Sequence, residues 1–259
     1  MTAPRTVGVL VRAYNDAPYL LRAIDSALTQ DYEGKIEVLV GIDAGSTDGT
    51  PELVARTWGS TDLGTGEMVV HPHKHPRRTV HLVPHPHMTL AAATRFLLPK
   101  LLAREEIFLL DGDNTLTRDR VKRHIDVHPG NEGLCCCNLK WGVQEDAPIF
   151  PNTPPGEVVE VSAERLLQGN FLDTLSMRWR SAYLRDRILP LMSAVAPGDL
   201  VDDYLMALLA ARDGKCDLHG FVGGTYRFRD DSLTRRTNVL QRTADTLTAY
   251  QAIVAADRR

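Results

Sequence analysis

The sequence predicts an α/β fold, a mostly parallel sheet with helices on both faces, and three observations predict it. Strand-like apolar runs occur at residues 7–11, 36–42, 80–83 and 107–110, broken only by Glu37 and His81. Stretches with apolar residues at helical spacing lie between them. Three of the runs end in polar clusters that include Asp or Asn. Strands buried on both faces read as continuous apolar runs. Strand–helix–strand order makes parallel neighbours joined by right-handed crossovers.

The elements follow in order. The 7–11 run is long enough for a buried strand, and Asn15-Asp16-Ala17-Pro18 ends it with turn chemistry. Leu20, Leu21, Ile24, Ala27 and Leu28 then repeat at helical spacing. The 36–42 run stops at Asp43, and Gly45-Ser46-Thr47-Asp48-Gly49 forms a turn. Thr50-Pro51-Glu52 opens a helix, with proline in the first turn where its missing N–H has no intrahelical partner to lose. The 58–78 segment, rich in Gly, Thr, His and Pro, reads as an exposed excursion. A helix over 90–102 separates the strands at 80–83 and 107–110. Farther on, the pattern predicts strands at 158–161 and 220–228, a helix at 200–212 and an amphipathic helix at 238–257. The expectation is one domain over 1–259.

Composition narrows the class. Thirty-three acidic against 30 basic residues leave a net charge of −3, so nothing general draws the chain to nucleic acid or an anionic membrane. The apolar start is broken by Arg12 and Asn15, too short for a signal peptide. No apolar run approaches the ~20 residues of a membrane span. Four cysteines without regular spacing point to a reducing, cytoplasmic setting. Cys135-Cys136-Cys137 lacks metal-ligand spacing and reads as buried structural thiols.

In open α/β sheets ligands sit beyond the carboxyl ends of the strands. That brings Ala13-Tyr14-Asn15, residues 43–48 and Asp111-Gly112-Asp113-Asn114 around one cleft. Two carboxylates flanking a glycine suit a hard divalent ion such as Mg²⁺ or Mn²⁺, which completes its shell with phosphate and water. Gly112 leaves room for a ligand to approach.

Tyr14-Asn15 after the first strand, Asp43-Ala44-Gly45-Ser46-Thr47-Asp48-Gly49-Thr50 after the second and Asp111-Gly112-Asp113 after a later one resemble the family 2 glycosyltransferases of GT-A fold. The resemblance covers roughly residues 6–235 and is densest at the N-terminal end. It implies a metal-dependent, inverting transfer of sugar from a nucleotide diphosphate sugar to an acceptor hydroxyl. It assigns Ala13, Tyr14 and Asp43 to the nucleotide base, Asp111 with Gly112 to the ribose side, and Asp113, the end of the family's Asp-x-Asp element, to Mn²⁺ or Mg²⁺. Val201-Asp202-Asp203-Tyr204-Leu205 matches the family's acidic pair, whose second residue, here Asp203, is the catalytic base. Asp202 and Trp179 belong to the expected acceptor side, and Arg229 stands where it can pair with the diphosphate. The halves divide near residue 115, the nucleotide-binding half before it and the acceptor half over about 116–235. His71, His73, His75, His81, His85 and His87, interleaved with prolines, read as an extended loop over the nucleotide side. Trp141, Trp179 and Tyr183 are candidates for stacking on a sugar.

The chain departs from the family pattern at Ala44, Asp202 and Arg229, where aspartate, glutamate and histidine are usual. Ala44 and Asp202 leave a nucleotide-sugar-binding pseudoenzyme as one alternative. A second is a haloacid dehalogenase-like phosphatase with Asp111 as nucleophile, because Asp111-Gly112-Asp113-Asn114-Thr115-Leu116 also resembles that motif and Gly198-Asp199-Leu200-Val201-Asp202-Asp203 its late metal motif. The expected partners are the donor and a hydroxyl-bearing acceptor, with no nucleic acid and no integral membrane segment. A homodimer is left open.

Overall fold

The computed structural model describes residues 4–58, 66–127, 132–194 and 202–230, together with 247, 251, 253 and 254. Its strands are β1 (Val7–Ala13), β2 (Ile36–Asp43), β3 (Met68–Val70), β4 (Arg78–His85), β5 (Glu106–Asp111), β6 (Thr115–Leu116), β7 (Leu134–Trp141), β8 (Ile149–Phe150), β9 (Val158–Glu160), β10 (Arg178–Arg180) and β11 (Cys216–Tyr226). The helices are α1 (Leu20–Leu28), α2 (Thr50–Thr57), α3 (Leu90–Leu97), α4 (Arg120–Val127), α5 (Ala163–Leu167), α6 (Ser181–Tyr183), α7 (Leu189–Ala194) and α8 (Asp202–Arg212).

One sheet runs in the order β3-β4-β2-β1-β5-β10-β7-β11-β6. β1 has parallel neighbours on both sides, β2 and β5, and all seven of its residues are buried. Alternate side chains feed two cores, as a strand's period of two requires. Val7, Val9 and Val11 pack with Leu20, Ile24, Leu28 and Val54 from α1 and α2. Leu10 points the other way, into a cluster with Leu97 of α3 and Leu205 of α8. Helices therefore cover both faces.

α1 buries Leu20, Ala23, Ile24, Ala27 and Leu28, the face expected from its spacing. α2 starts after Gly49, whose φ of 86° is the left-handed conformation that glycine adopts without steric cost. The helix expected over 90–102 is shorter. α3 ends at Leu97 and a 3₁₀ turn, Leu98–Leu101, replaces its last part, because Pro99 has no N–H to continue the α-helical ladder.

Within the 58–78 excursion, β3 pairs antiparallel with β4. β4 is longer than its apolar run and takes in His81 and His85, so that part of the histidine-rich stretch is strand and not loop. β10 enters antiparallel between β5 and β7, making the sheet mixed although its long strands run parallel. The four described residues within 238–257 are helical and Ile253 is buried; the rest of that expected helix lies outside the described residues. No helix among the described residues is long and apolar enough to cross a membrane. All four cysteines are buried free thiols.

Candidate functional site

β1 lies between β2 and β5, so Asp43 and Asp111 stand one strand to either side of its carboxyl end. At the usual strand spacing that puts them about 10 Å apart. The turn after β2 holds the loop after β1. Thr47 N–H donates to Asn15 Oδ1 (2.7 Å), Asp16 N–H to Thr50 Oγ1 (2.9 Å) and Ala17 N–H to Asp48 Oδ2 (2.8 Å). The Thr50 hydroxyl donates to Asp48 Oδ1 at 2.6 Å. Asn15 is thereby kept at φ 55°, a left-handed position uncommon outside glycine. The polar turn from Gly45 to Thr50 thus fixes Asp16.

Asp16 was not among the residues singled out in the sequence, yet it sits at the centre of the carboxylate end. Arg229 Nη1 donates to Asp16 Oδ1 at 2.5 Å and lies 3.6 Å from Asp113 Oδ2, while its Nη2 donates to Asn15 O at 3.0 Å. Burial, and then the charge of Asp113, raise the Asp16 carboxyl to about 7. Burial, and then Asp111, raise Asp113 to about 6. Asp173, half-buried and facing Asp111, is raised to about 7 by desolvation and then by the charge of Asp111. A desolvated carboxylate among like charges resists ionisation. Asp111 is compensated differently: Arg12, its partner across the strand register, donates to Asp111 Oδ1 from Nε (3.0 Å) and Nη2 (2.6 Å). The space at Gly112 is not left for a ligand, because a Cβ there would lie 2.4 Å from Asp16 Oδ2. Glycine lets Asp16 pack behind the Asp111–Asp113 bend.

At the other end, Asp43 is buried and holds donors from the chain itself. Gly45 N–H donates to Oδ1 (2.7 Å), and His87 Nδ1 lies 3.1 Å from both carboxylate oxygens. Tyr14 is 47% exposed, with its ring 5.1 Å from that of His87. Ala13 is buried at the end of β1 beneath this corner.

Asp203 is half-buried in the first turn of α8. Tyr204 N–H donates to its Oδ1 (2.6 Å) and the Thr174 hydroxyl to its Oδ2 (3.4 Å). Thr174 follows Asp173, so one short segment joins Asp203 to the Asp111–Asp113 corner. The side chain of Asp202 and residues 195–201 lie outside the described residues. Trp179 is a correction: it is fully buried on β10 and stacks on the buried Tyr183 (6.2 Å), so neither ring can meet an acceptor. Trp141 is half-buried in a group of aromatic rings.

The donor set of Asp16, Asp111 and Asp113 is all hard oxygen, which fits Mg²⁺ or Mn²⁺. A cation already belongs there, since the Arg229 guanidinium lies between Asp16 and Asp113. Among the described residues, one group of three metal-type ligands falls within 4.8 Å, Cys135, Asp217 and His219. Cys135 and Asp217 pair near the amino ends of β7 and β11, away from this corner.

The sheet and carboxyl-end cleft have the fold of GT-A glycosyltransferases, and the glycosyl transferase family 2 model matches residues 8–60 of this chain. That span is the β1–α2 unit that builds the Asp43 end and holds Asp16. The match covers the Gly45–Thr50 turn, which the phosphatase reading leaves unexplained.

Among solved structures, TarS 1-349 of S. aureus in complex with UDP aligns with a TM-score of 0.63 at 15% identity, over 96% of this chain and 64% of that one. Its complex with UDP-GlcNAc aligns at 0.61 and 16%, over 90% and 62%. The mannosyltransferase PcManGT from Pyrobaculum calidifontis, in complex with GDP-Man and Mn²⁺, aligns at 0.62 and 20%, over 98% and 65%. At these identities the likeness is one of fold, and the chain spans less than two-thirds of each of these structures. Comparison with curated proteins gives no significant match.

Proposed function

We propose that the protein transfers a sugar from a nucleotide diphosphate sugar to an acceptor hydroxyl, with inversion and with the help of Mn²⁺ or Mg²⁺. The observation that carries this reading is the crowding of Asp16, Asp111 and Asp113 at the carboxyl end of β5, against the family 2 segment. The nucleotide lies along the strand ends, its base toward Tyr14, Asp43 and His87 and its ribose toward Asp111 and Gly112. Asp113, with Asp16 behind it, would hold the metal, which would supply positive charge to the departing diphosphate. Arg229 exchanges its carboxylate partners for the diphosphate, a bidentate match for a guanidinium. Asp203 takes the proton from the acceptor hydroxyl. The oxygen then attacks the anomeric carbon opposite the leaving group, the bond to the diphosphate breaks and the nucleoside diphosphate departs. The domain works as one unit, nucleotide-binding to about residue 115 and acceptor-binding over about 116–235, with Asp202 on the acceptor side. Its four buried thiols suit a cytoplasmic setting.

UDP and GDP, each with Mn²⁺, titrated calorimetrically into wild type, Asp113→Ala and Asp203→Asn beside a transfer assay, test this. Asp113→Ala loses Mn²⁺-dependent nucleotide binding and turnover together. Asp203→Asn keeps nucleotide affinity within about twofold and loses ~10²–10⁴ in rate, the usual range for a general base. Nucleotide binding that ignores Mn²⁺, or normal turnover in Asp203→Asn, contradicts the reading.

A further inference from the structure

Four aromatic rings meet at the carboxyl ends of β7 and β11, and the mechanism above uses none of them. Trp141 stacks on Tyr226, its partner in the strand register, at 5.2 Å and 22°. Phe150 of β8 meets Trp141 edge-on at 5.1 Å. Phe228 touches both Trp141 (5.6 Å) and Tyr226 (5.4 Å). Phe150 is 41% and Phe228 50% exposed, and their neighbours Val143 and Ile149 are exposed as well. Apolar surface gathered in one place, unlike scattered exposed side chains, marks a binding face.

The position of this face says what it binds. β10 runs antiparallel to both β5 and β7, so Trp141 and Asp111 stand at the same end of the sheet. The backbone after Tyr226 ties the rings to the carboxylate corner: Arg227 N–H donates to Asn114 Oδ1 (2.8 Å), Arg227 Nε to Asp113 O (3.2 Å), and Arg229 pairs with Asp16. Phe228 lies between those two arginines, its Cα about 3.8 Å from each of theirs. Gln144, Glu145 and Asp146, all exposed, form the loop between β7 and β8 beside the rings. Flat apolar faces next to carboxylates and an amide match a sugar ring, which offers C–H groups on its face and hydroxyls at its edge. The acidic rim disfavours an anionic bilayer or a phosphorylated headgroup.

We infer that Trp141, Phe150, Tyr226 and Phe228 form an acceptor platform that holds a neutral sugar ring of a saccharide acceptor beside the transfer site. The inference rests on the transferase reading, since it concerns the acceptor of that reaction.

Saturation-transfer NMR on the full chain with UDP and Mn²⁺ present, using maltose, cellobiose, mannobiose and chitobiose as probes, tests it. At least one disaccharide should receive saturation at its ring C–H protons. Phe228→Ala and Phe150→Ala should each weaken that signal at least fivefold, and Phe228→Tyr should restore most of it. Phe150 is off the arginine loop, so its variant guards against a misplaced Arg229. UDP and GDP titrations should be unchanged in Phe150→Ala. Failure of wild type to bind either nucleotide would instead count against the donor reading. Absence of any disaccharide signal overturns the platform, as does a signal indifferent to both variants. So does binding to phosphatidylglycerol vesicles, or a concentration-dependent dimer, that these variants abolish.

Discussion

The two ends of the cleft handle a buried carboxylate in opposite ways. Asp43 is enclosed by donors: the Gly45 N–H and the His87 ring meet its oxygens at 2.7–3.1 Å. Asp16 and Asp113 share one arginine, and burial, with the charge of Asp113 on the one and of Asp111 on the other, raises them to about 7 and 6. Asp173 adds a third desolvated carboxyl to the same corner. The first end is satisfied before any ligand arrives, so a ligand gains there by shape and by replacing existing hydrogen bonds. The second lacks positive charge, and a cation gains there by relieving what folding has strained. Stability is given up where binding is needed, as functional sites commonly do.

The larger effect that would sharpen this contrast lies at the crowded end. A carboxyl whose folded pKa is raised contributes stability that is fully present below the unfolded value near 4 and is lost as pH rises through the folded value. For Asp173 that window runs from about pH 4 to about 7. His124 works in the other direction below pH 6.5, because burial, and then Arg120, push it well below its ordinary value. The comparison is therefore with Asp173→Asn, which keeps the oxygen that accepts from Leu175 N–H. In metal-free protein this variant should gain on wild type between pH 5 and pH 8 by on the order of 2 kcal/mol, roughly 4–8 °C in thermal midpoint. A constant difference across that range breaks the account of this end.

A smaller effect is expected at the satisfied end. His87→Ala removes one donor from Asp43 while Gly45 N–H remains, so UDP or GDP affinity should change by only about two- to fivefold, or under ~1 kcal/mol. Maximal rate should hold, because a contact remote from the bond that breaks contributes mostly uniform binding. A hundredfold loss of turnover in a transfer assay would erase the distinction between the ends.

Much of the nucleotide-binding half was legible because its strands are buried on both faces and their ends carry polar clusters. Residues 7–11, 36–42 and 107–110 each became a strand, extended by one or two residues. β10 was not legible. Arg178-Trp179-Arg180 has no apolar run, and Arg178 is buried only because Glu106, on the neighbouring strand, receives its guanidinium at 2.6 Å. A pairing across 72 residues leaves no local pattern. The same limit hid Asp16 and Asp173. Asp16 looked like turn chemistry and Asp173 stood in no local pattern, but their importance comes from lying against Asp113 and Asp111. Glycine 112 was read as open space, and only the fold reveals that Asp16 fills it.

The central claim is that the Asp16–Asp113 corner is short of positive charge and that Mn²⁺ relieves it. Proton release tests it directly, because carboxylates that are partly protonated at rest must lose protons to bind a metal. Mn²⁺ is titrated with UDP or GDP at pH 6.5 in two buffers of different ionisation enthalpy, and the difference in heat counts the protons. With carboxyls raised to about 7 and 6, on the order of one proton should leave per metal bound, and fewer at pH 8. Metal binding with no proton release at pH 6.5 would mean these carboxylates were already ionised, and would contradict the account.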